Sequence, residues 1–220
     1  MARDPEPTRQ ALVAAAERLF ADHGINRVSL REINRKSGAR NAVALQYHFT
    51  DRDGIVRAVL AKHFPGVDQQ RHQLLDAYQA GPRTDLRQLS AALVLPLAAK
   101  LSDPDGGPEY LQISAELLNQ PITYEPNPSA DSDRSIDRWR SLVAPFLEDD
   151  ATRLHRRFTA IRFTHIELGR RAHSGPHRDD RLFASSLIDL VTALLVAPVS
   201  TDTATLADDR DRNLLAAGAS

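Results

Sequence analysis

Between Val28 and Ile55 the chain reads VSLREINRKSGARNAVALQYHFTDRDGI, and this stretch constrains the fold more than any other. Ser29 and Glu32 form the S-x-x-E pattern of a capping box, which predicts a helix start with Leu30 and Ile33 turned inward. Gly38 ends that helix. Asn41 is a good N-cap for the next, which runs to about Phe49. Thr50 and Asp53 mark another start, with Ile55, Val56, Val59 and Leu60 at core spacing. Two short helices across a tight turn, followed by a linking helix, make a helix-turn-helix. An all-α chain built this way most often presents its second helix to DNA.

The rest of the chain is helical by the same signals. From Thr8 to Asp22, Leu12, Ala15, Ala16, Leu19 and Phe20 form one apolar stripe, and Gly24 supplies the stop with Ile25 packing back. Pro65-Gly66 is expected to break or kink the linking helix before a continuation ending at Gly81-Pro82. Segment 84–101 puts Leu86, Leu89, Leu93, Leu97 and Leu101 on one face. Short helices are expected at 109–119 and 135–147, with a proline-containing connection over 120–133 between them. Two longer segments follow at 150–173 and 179–197, and the Thr/Asp/Ala-rich tail from Pro198 is expected to pack little. No strand-like alternation of useful length is present. The expected architecture is all-α. Residues 1–50 form a three-helix DNA-binding domain, 51–64 a linking helix, 65–197 a helical effector-binding and dimerisation domain, and 198–220 a tail.

On a helical wheel Ala42, Leu45 and Phe49 share a face that suits packing on Phe20, Leu30 and Ile33. Val43, Ala44 and Tyr47 point the other way, with Gln46 and His48 at the edges. Outward valine and alanine suit thymine methyls in a major groove, and Tyr47 and His48 suit phosphates. The same pattern also fits a helical hairpin whose outer face packs on another part of the protein.

Charge supports the first reading weakly. Residues 1–64 hold 11 Lys/Arg against 7 Asp/Glu, and the remainder 17 against 22, on a chain of net charge −1. Absence of cysteine removes disulfides, thiolate metal sites and cysteine nucleophiles. No Glu-x-x-His, His-Glu-x-x-His, G-x-x-x-x-G-K, G-x-G-x-x-G or G-x-S-x-G occurs. His173 and His177 are four apart, but Gly175-Pro176 stands between them. An enzyme, a cofactor and a metal are therefore not expected. The N-terminus lacks the apolar run of a signal peptide, and the longest apolar stretches contain proline, so a cytoplasmic protein without a membrane partner is expected.

Residues 8–64 resemble the DNA-binding domain of the tetracycline-repressor (TetR) family. The resemblance rests on Ala16–Gly24 (AERLFADHG), on Ser29-Leu30-Arg31-Glu32-Ile33, and on the glycine turn. It rests also on Tyr47-His48-Phe49 ahead of Thr50-Asp51-Arg52. Compared with the commonest family pattern, the turn at Gly38-Ala39-Arg40 is one residue longer. The resemblance implies that Ser29 and Arg31 hold a phosphate strand and that Asn41 caps the reading helix. It implies that Ala42, Val43 and Ala44 face base edges, that Tyr47 and His48 meet phosphates, and that Arg52 adds charge beside backbone amides. Arg40 lies in the turn, within reach of a base, a phosphate or solvent.

The resemblance also implies a homodimer built from the last two long helices, with Phe158, Ile161, Phe183, Leu187, Leu190, Val191 and Leu194 in the interface. It implies a small, mainly apolar effector among the middle helices, where Leu93, Leu97, Leu117, Trp139, Phe146, Phe163 and His165 are the candidates. Pro96 removes one backbone donor and frees the carbonyl of Ala92. The resulting bend either opens a cavity or shapes a surface helix, and the second is the expectation. The function expected is a ligand-responsive repressor that leaves a double-stranded operator when the effector binds. A helical enzyme and a helical adaptor that does not bind DNA are the alternatives.

Overall fold

The computed structural model describes residues 6–38, 48–119 and 134–218, and these are helical throughout, with no strand among them. α1 spans Glu6–His23 and buries Leu12, Ala15, Ala16 and Phe20, the face its periodicity predicts. The chain leaves α1 through Gly24 at φ +84°, where a side chain would be strained. A single 3₁₀ turn over Ile25–Arg27 leads to α2, Leu30–Lys36. The capping box forms: the Ser29 hydroxyl accepts from the Glu32 amide, and Glu32 returns to the Ser29 amide at 2.8 Å. Residues 39–47, which hold most of the expected reading helix, lie outside the described residues.

α3 runs unbroken over Arg52–Ala80. Its N-cap is Asp51, not Thr50, with the carboxylate accepting from the Gly54 amide at 2.7 Å. Pro65 lies inside this helix, so the expected boundary near residue 64 is not a helix end. One i→i−4 bond is lost there, and apolar positions on both sides (Ile55, Val56, Val59, Val67, Leu75, Tyr78) hold the helix to its neighbours.

α4 (Leu86–Ala98), α5 (Gly107–Leu117), α6 (Ser135–Val143), α7 (Asp149–Arg153), α8 (Arg156–His173), α9 (Arg181–Val196) and α10 (Thr201–Gly218) complete the chain. α5 lies along α8, and α4 packs between α3 and α9. The α5–α8 approach is close because Gly169 faces it: a methyl there would sit 2.6 Å from the Ala115 Cβ and 3.1 Å from the Leu111 carbonyl. The expected single segment at 150–173 is two helices, divided at His155, whose φ is +55°. The tail is a helix too. It buries Ala207 and leaves Leu206 and Leu214 exposed. Among the described residues no single helix is long and apolar enough to cross a membrane.

α4 is not a surface helix. Leu89, Ala92, Leu93, Val94, Pro96 and Leu97 are all buried, which overturns the expected role of Pro96. The Ala92 carbonyl that Pro96 leaves free accepts from the Arg71 Nε at 3.2 Å. A helix lacking one internal bond in the middle of a core needs such a donor.

Candidate nucleic-acid interface and its junction with the body

α2 owes its position to Ile33 and Val28, which enter the core shared with Phe20, Ile25 and Phe49. The face left outside carries Arg31, Arg35 and Lys36, all exposed. Two turns of helix therefore present three cations, an arrangement suited to a phosphate strand. Glu32 stands among them, its pKa lowered by its backbone and side-chain bonds to Ser29.

Ser29 is less available than the family pattern implies. Its hydroxyl donates to Glu32 Oε2 at 2.7 Å, and its amide donates to the same oxygen. A phosphate would have to displace a carboxylate to reach either donor, which leaves Arg31 as an exposed cation at this end of α2. Arg52 is a second departure. Its Nη2 donates to the Val28 carbonyl at 2.9 Å, which ties the start of α3 to the loop before α2. Its Nε is buried without a partner. The guanidinium is turned into the domain because the Val28 carbonyl, between two helices, has no helical donor of its own.

His48 is the described member of the expected phosphate contacts on the reading helix. It is half-buried and helical, beside the buried Phe49, whose ring takes Arg9 on its face at 5.6 Å. Arg40, Asn41, Ala42, Val43, Ala44 and Tyr47 lie outside the described residues.

A polar junction joins α1 to the rest of the molecule, and no sequence motif marks it. Glu17, on the apolar side of α1, is 2% exposed. Its carboxylate receives His63 Nε2 at 2.6 Å and Lys62 Nζ at 2.9 Å, both from α3. Lys62 also reaches Asp105, in the loop before α5, at 2.8 Å. Burial opposes the charge of Lys62, but its hydrogen bonds to Asp105 and Glu17 outweigh that and raise its pKa. The loop passes so near that a methyl at Gly106 would overlap the Glu17 carboxylate. Behind this group Tyr110, on α5, stacks on His63 with centroids 4.7 Å apart. At the far end of α5, Glu116 accepts from the Ile25 amide at 3.1 and 3.2 Å. Both ends of α5 are therefore fastened to α1 and its exit. A single buried glutamate within an apolar stripe was the one available signal in the sequence.

The seven expected effector residues divide by burial. Leu93, Leu97, Leu117 and Trp139 are buried, and Phe146, Phe163 and His165 are partly so. Trp139 donates its indole N–H to the Leu89 carbonyl at 2.8 Å, so its polar atom is used within the fold. Burial holds His165 down to about 4, against a bond to the Ile161 carbonyl that works the other way. Among the described residues three clefts lie away from those seven residues. One of about 440 Å³ lies between α1, α5 and α8, beside Gly24 and Glu116. One of about 740 Å³ separates α1 from α3, and one of about 610 Å³ lies between α4 and α9.

The expected dimer residues also divide. Ile161, Leu187 and Val191 face the core of their own chain, and Phe183 and Leu194 pack against it. Phe158 and Leu190 face outward, at 43% and 52% exposure. On α9, Leu182 at 84% and Val196 at 53% are exposed as well. One side of α9 fills the groove between α4 and α8, and on the other Leu182, Leu190 and Val196 stand exposed beside Ser186 and Asp189. Of the two histidines four residues apart, His173 pairs with Gln112 and His177 with Ser174.

Comparison with known proteins agrees with this geometry. Residues 12–59 match the profile described as "Bacterial regulatory proteins, tetR family". Over 141 residues the chain is 26% identical to the HTH-type transcriptional repressor BepR of Brucella suis biovar 1 (strain 1330). That alignment covers 64% of this chain and 63% of the repressor, so the similarity stops short of two thirds of either protein.

Proposed function

We propose that this chain, whose residues 12–59 match the tetR-family profile, is a ligand-responsive transcriptional repressor of that family. Two copies hold a double-stranded operator through their N-terminal helices, and a small molecule bound in the body releases it. The observation that carries this reading is the junction. A DNA-binding head needs a mechanical link to the site that senses the ligand, and α5 supplies one at both ends. A ligand that shifts α5 pulls on Tyr110 and His63 at one end and on Ile25 at the other. Either movement tilts α1 and α2 relative to α3, which changes the distance between the heads of a dimer. Half-sites one helical turn apart tolerate little change of that distance.

The reading helix is assigned to residues 41–49, with Val43 and Ala44 toward bases and Tyr47 and His48 toward phosphates. Arg31, with Arg35 and Lys36 nearby, adds the sequence-independent attraction. The dimer forms through the outer faces of α8 and α9, around Phe158 and Leu190. The test is a gel shift on DNA from upstream of the protein's own coding region at two salt concentrations. Binding that weakens steeply with salt is expected, and Tyr47→Ala is expected to weaken it further. Absence of a shift at low salt overturns the regulator reading, and a Tyr47→Ala protein that binds like wild type overturns the assignment of the reading helix.

A further inference from the structure

We propose that the effector is a small anion, a carboxylate with an apolar remainder, and that Arg71 is its counter-ion in the body. The inference rests on the regulator reading above. Arg71 stands in the second half of α3 and is 4% exposed. A guanidinium keeps its charge inside a protein, and buried charges are found paired. Here the hydrogen bonds of Arg71 go to two neutral oxygens, the Ala92 carbonyl at 3.2 Å and the Ser135 hydroxyl at 3.1 Å. Among the described residues no carboxylate lies within ion-pair distance of it.

Among the described residues the acid whose charge acts on Arg71 is Asp68, and its oxygens are engaged by other groups. Its Oδ1 accepts from the Ser135 amide and hydroxyl at 3.0 and 2.6 Å, and its Oδ2 lies 3.5 Å from His72. The other two titratable groups that feel the charge of Arg71 are Tyr110 from α5 and His165 from α8. Neither supplies a negative charge. Burial pushes the Tyr110 phenol up to about 12, and His165 is neutral. Tyr110 and His165 therefore offer only neutral groups; Asp68 acts on this arginine through the Ser135 hydroxyl, and burial still pulls the Arg71 pKa down.

A purely structural role explains less. The Ala92 carbonyl needs a donor because of Pro96, but an uncharged amide meets that need, and Ser135 already has Asp68 as its partner. The remaining N–H groups of the guanidinium have no hydrogen-bond partner among the described residues. A carboxylate takes two of those N–H groups side by side. The surroundings suit an apolar remainder: Trp139 lies one turn beyond Ser135 on α6, and Leu89 and Leu93 flank Ala92 on α4, all three buried. Tyr110 also stacks on His63, so an anion at Arg71 sits one residue away from the junction that holds α1.

The test uses the full-length protein and straight-chain monocarboxylates from acetate to dodecanoate, each set against the alcohol of equal length. Melting temperature and the fluorescence of Trp139, the one tryptophan of the chain, report binding. At some chain length the carboxylate is expected to bind about tenfold or more tighter than its alcohol. Arg71→Gln keeps a donor for Ala92 and is expected to abolish that preference, and Arg71→Lys to retain part of it. The inference is overturned if no carboxylate outbinds its alcohol at any length, or if the preference survives in Arg71→Gln. Gel shifts on the same preparations separate the two readings. DNA binding without carboxylate preference overturns this inference alone, whereas no DNA binding at low salt overturns the regulator reading itself.

Discussion

At position 52 the family pattern places a cation beside a phosphate, yet the structure turns that guanidinium inward onto the Val28 carbonyl. The difference is measurable. Arg52→Ala is expected to lower stability by about 1–2 kcal/mol, the worth of a hydrogen bond from a charged donor. It should leave the salt dependence of DNA binding nearly unchanged, whereas loss of a phosphate contact would reduce the slope by about one. Gel shifts across a salt series, with thermal melts alongside, distinguish the two. His165 is the other residue whose environment sets a prediction. Its native pKa of about 4 lies below its ordinary value of 6.5, so the unfolded chain binds a proton that the native state refuses. Stability should therefore fall as pH drops from about 6.5 toward 4. The loss is at most about 3 kcal/mol, an upper bound because the ring keeps some accessible surface. Urea unfolding at several pH values should show this slope in the native protein and a flatter one in His165→Gln. Equal slopes would mean that the ring is protonated in the native state.

Among the elements, glycine positions separate helices that tolerate a side chain from those that do not. Gly66, inside α3, is exposed, and a methyl there meets nothing nearer than the Lys100 ammonium at 4.0 Å. Gly66→Ala should stabilise the protein by about 0.5–1 kcal/mol through helix propensity. Gly169 sets the α5–α8 spacing, and Gly169→Ala should destabilise by about 1–3 kcal/mol, the usual cost of overpacking. Opposite shifts in melting temperature are the check, and two shifts of one sign would contradict the packing. These two glycines also show what a sequence makes legible. Caps and apolar spacing act within one helix, so α1, the Ser29 capping box and the faces of α4 and α9 could all be read directly. Which helix a face meets depends on distant segments. Ile161, Leu187 and Val191 read as interface residues but belong to the monomer core, because α4 and α8 both border α9. Pro65 read as a break or kink, and Pro96 as a bend. Each removes only one backbone bond, and surrounding contacts outweigh that loss. The Glu17–His63–Lys62 junction was illegible because its members come from two helices some 45 residues apart and share no motif.

For the whole molecule, the outer side of α9 and the neighbouring face of α8 decide whether the proposed dimer forms. A two-fold interface places each residue near its own counterpart or that of a neighbour, so one charge introduced at its centre appears twice and repels itself. Leu190 is half-exposed in the single chain, so Leu190→Asp should leave the fold of each copy intact. The same change at Leu187, which is buried against the core of its own chain, should unfold the protein. Sedimentation and circular dichroism together separate these outcomes. Leu190→Asp is expected to sediment as a monomer with an unchanged helical spectrum. Loss of the dimer should also cost DNA affinity, because each head alone holds one half-site and the second contact is no longer intramolecular. Phe158→Ala should weaken the dimer in the same direction but less, since it removes apolar area without adding charge. If Leu190→Asp remains a dimer with native affinity for DNA, the two copies meet through another surface, and the exposed leucines of α10, Leu206 and Leu214, become the next surface to alter.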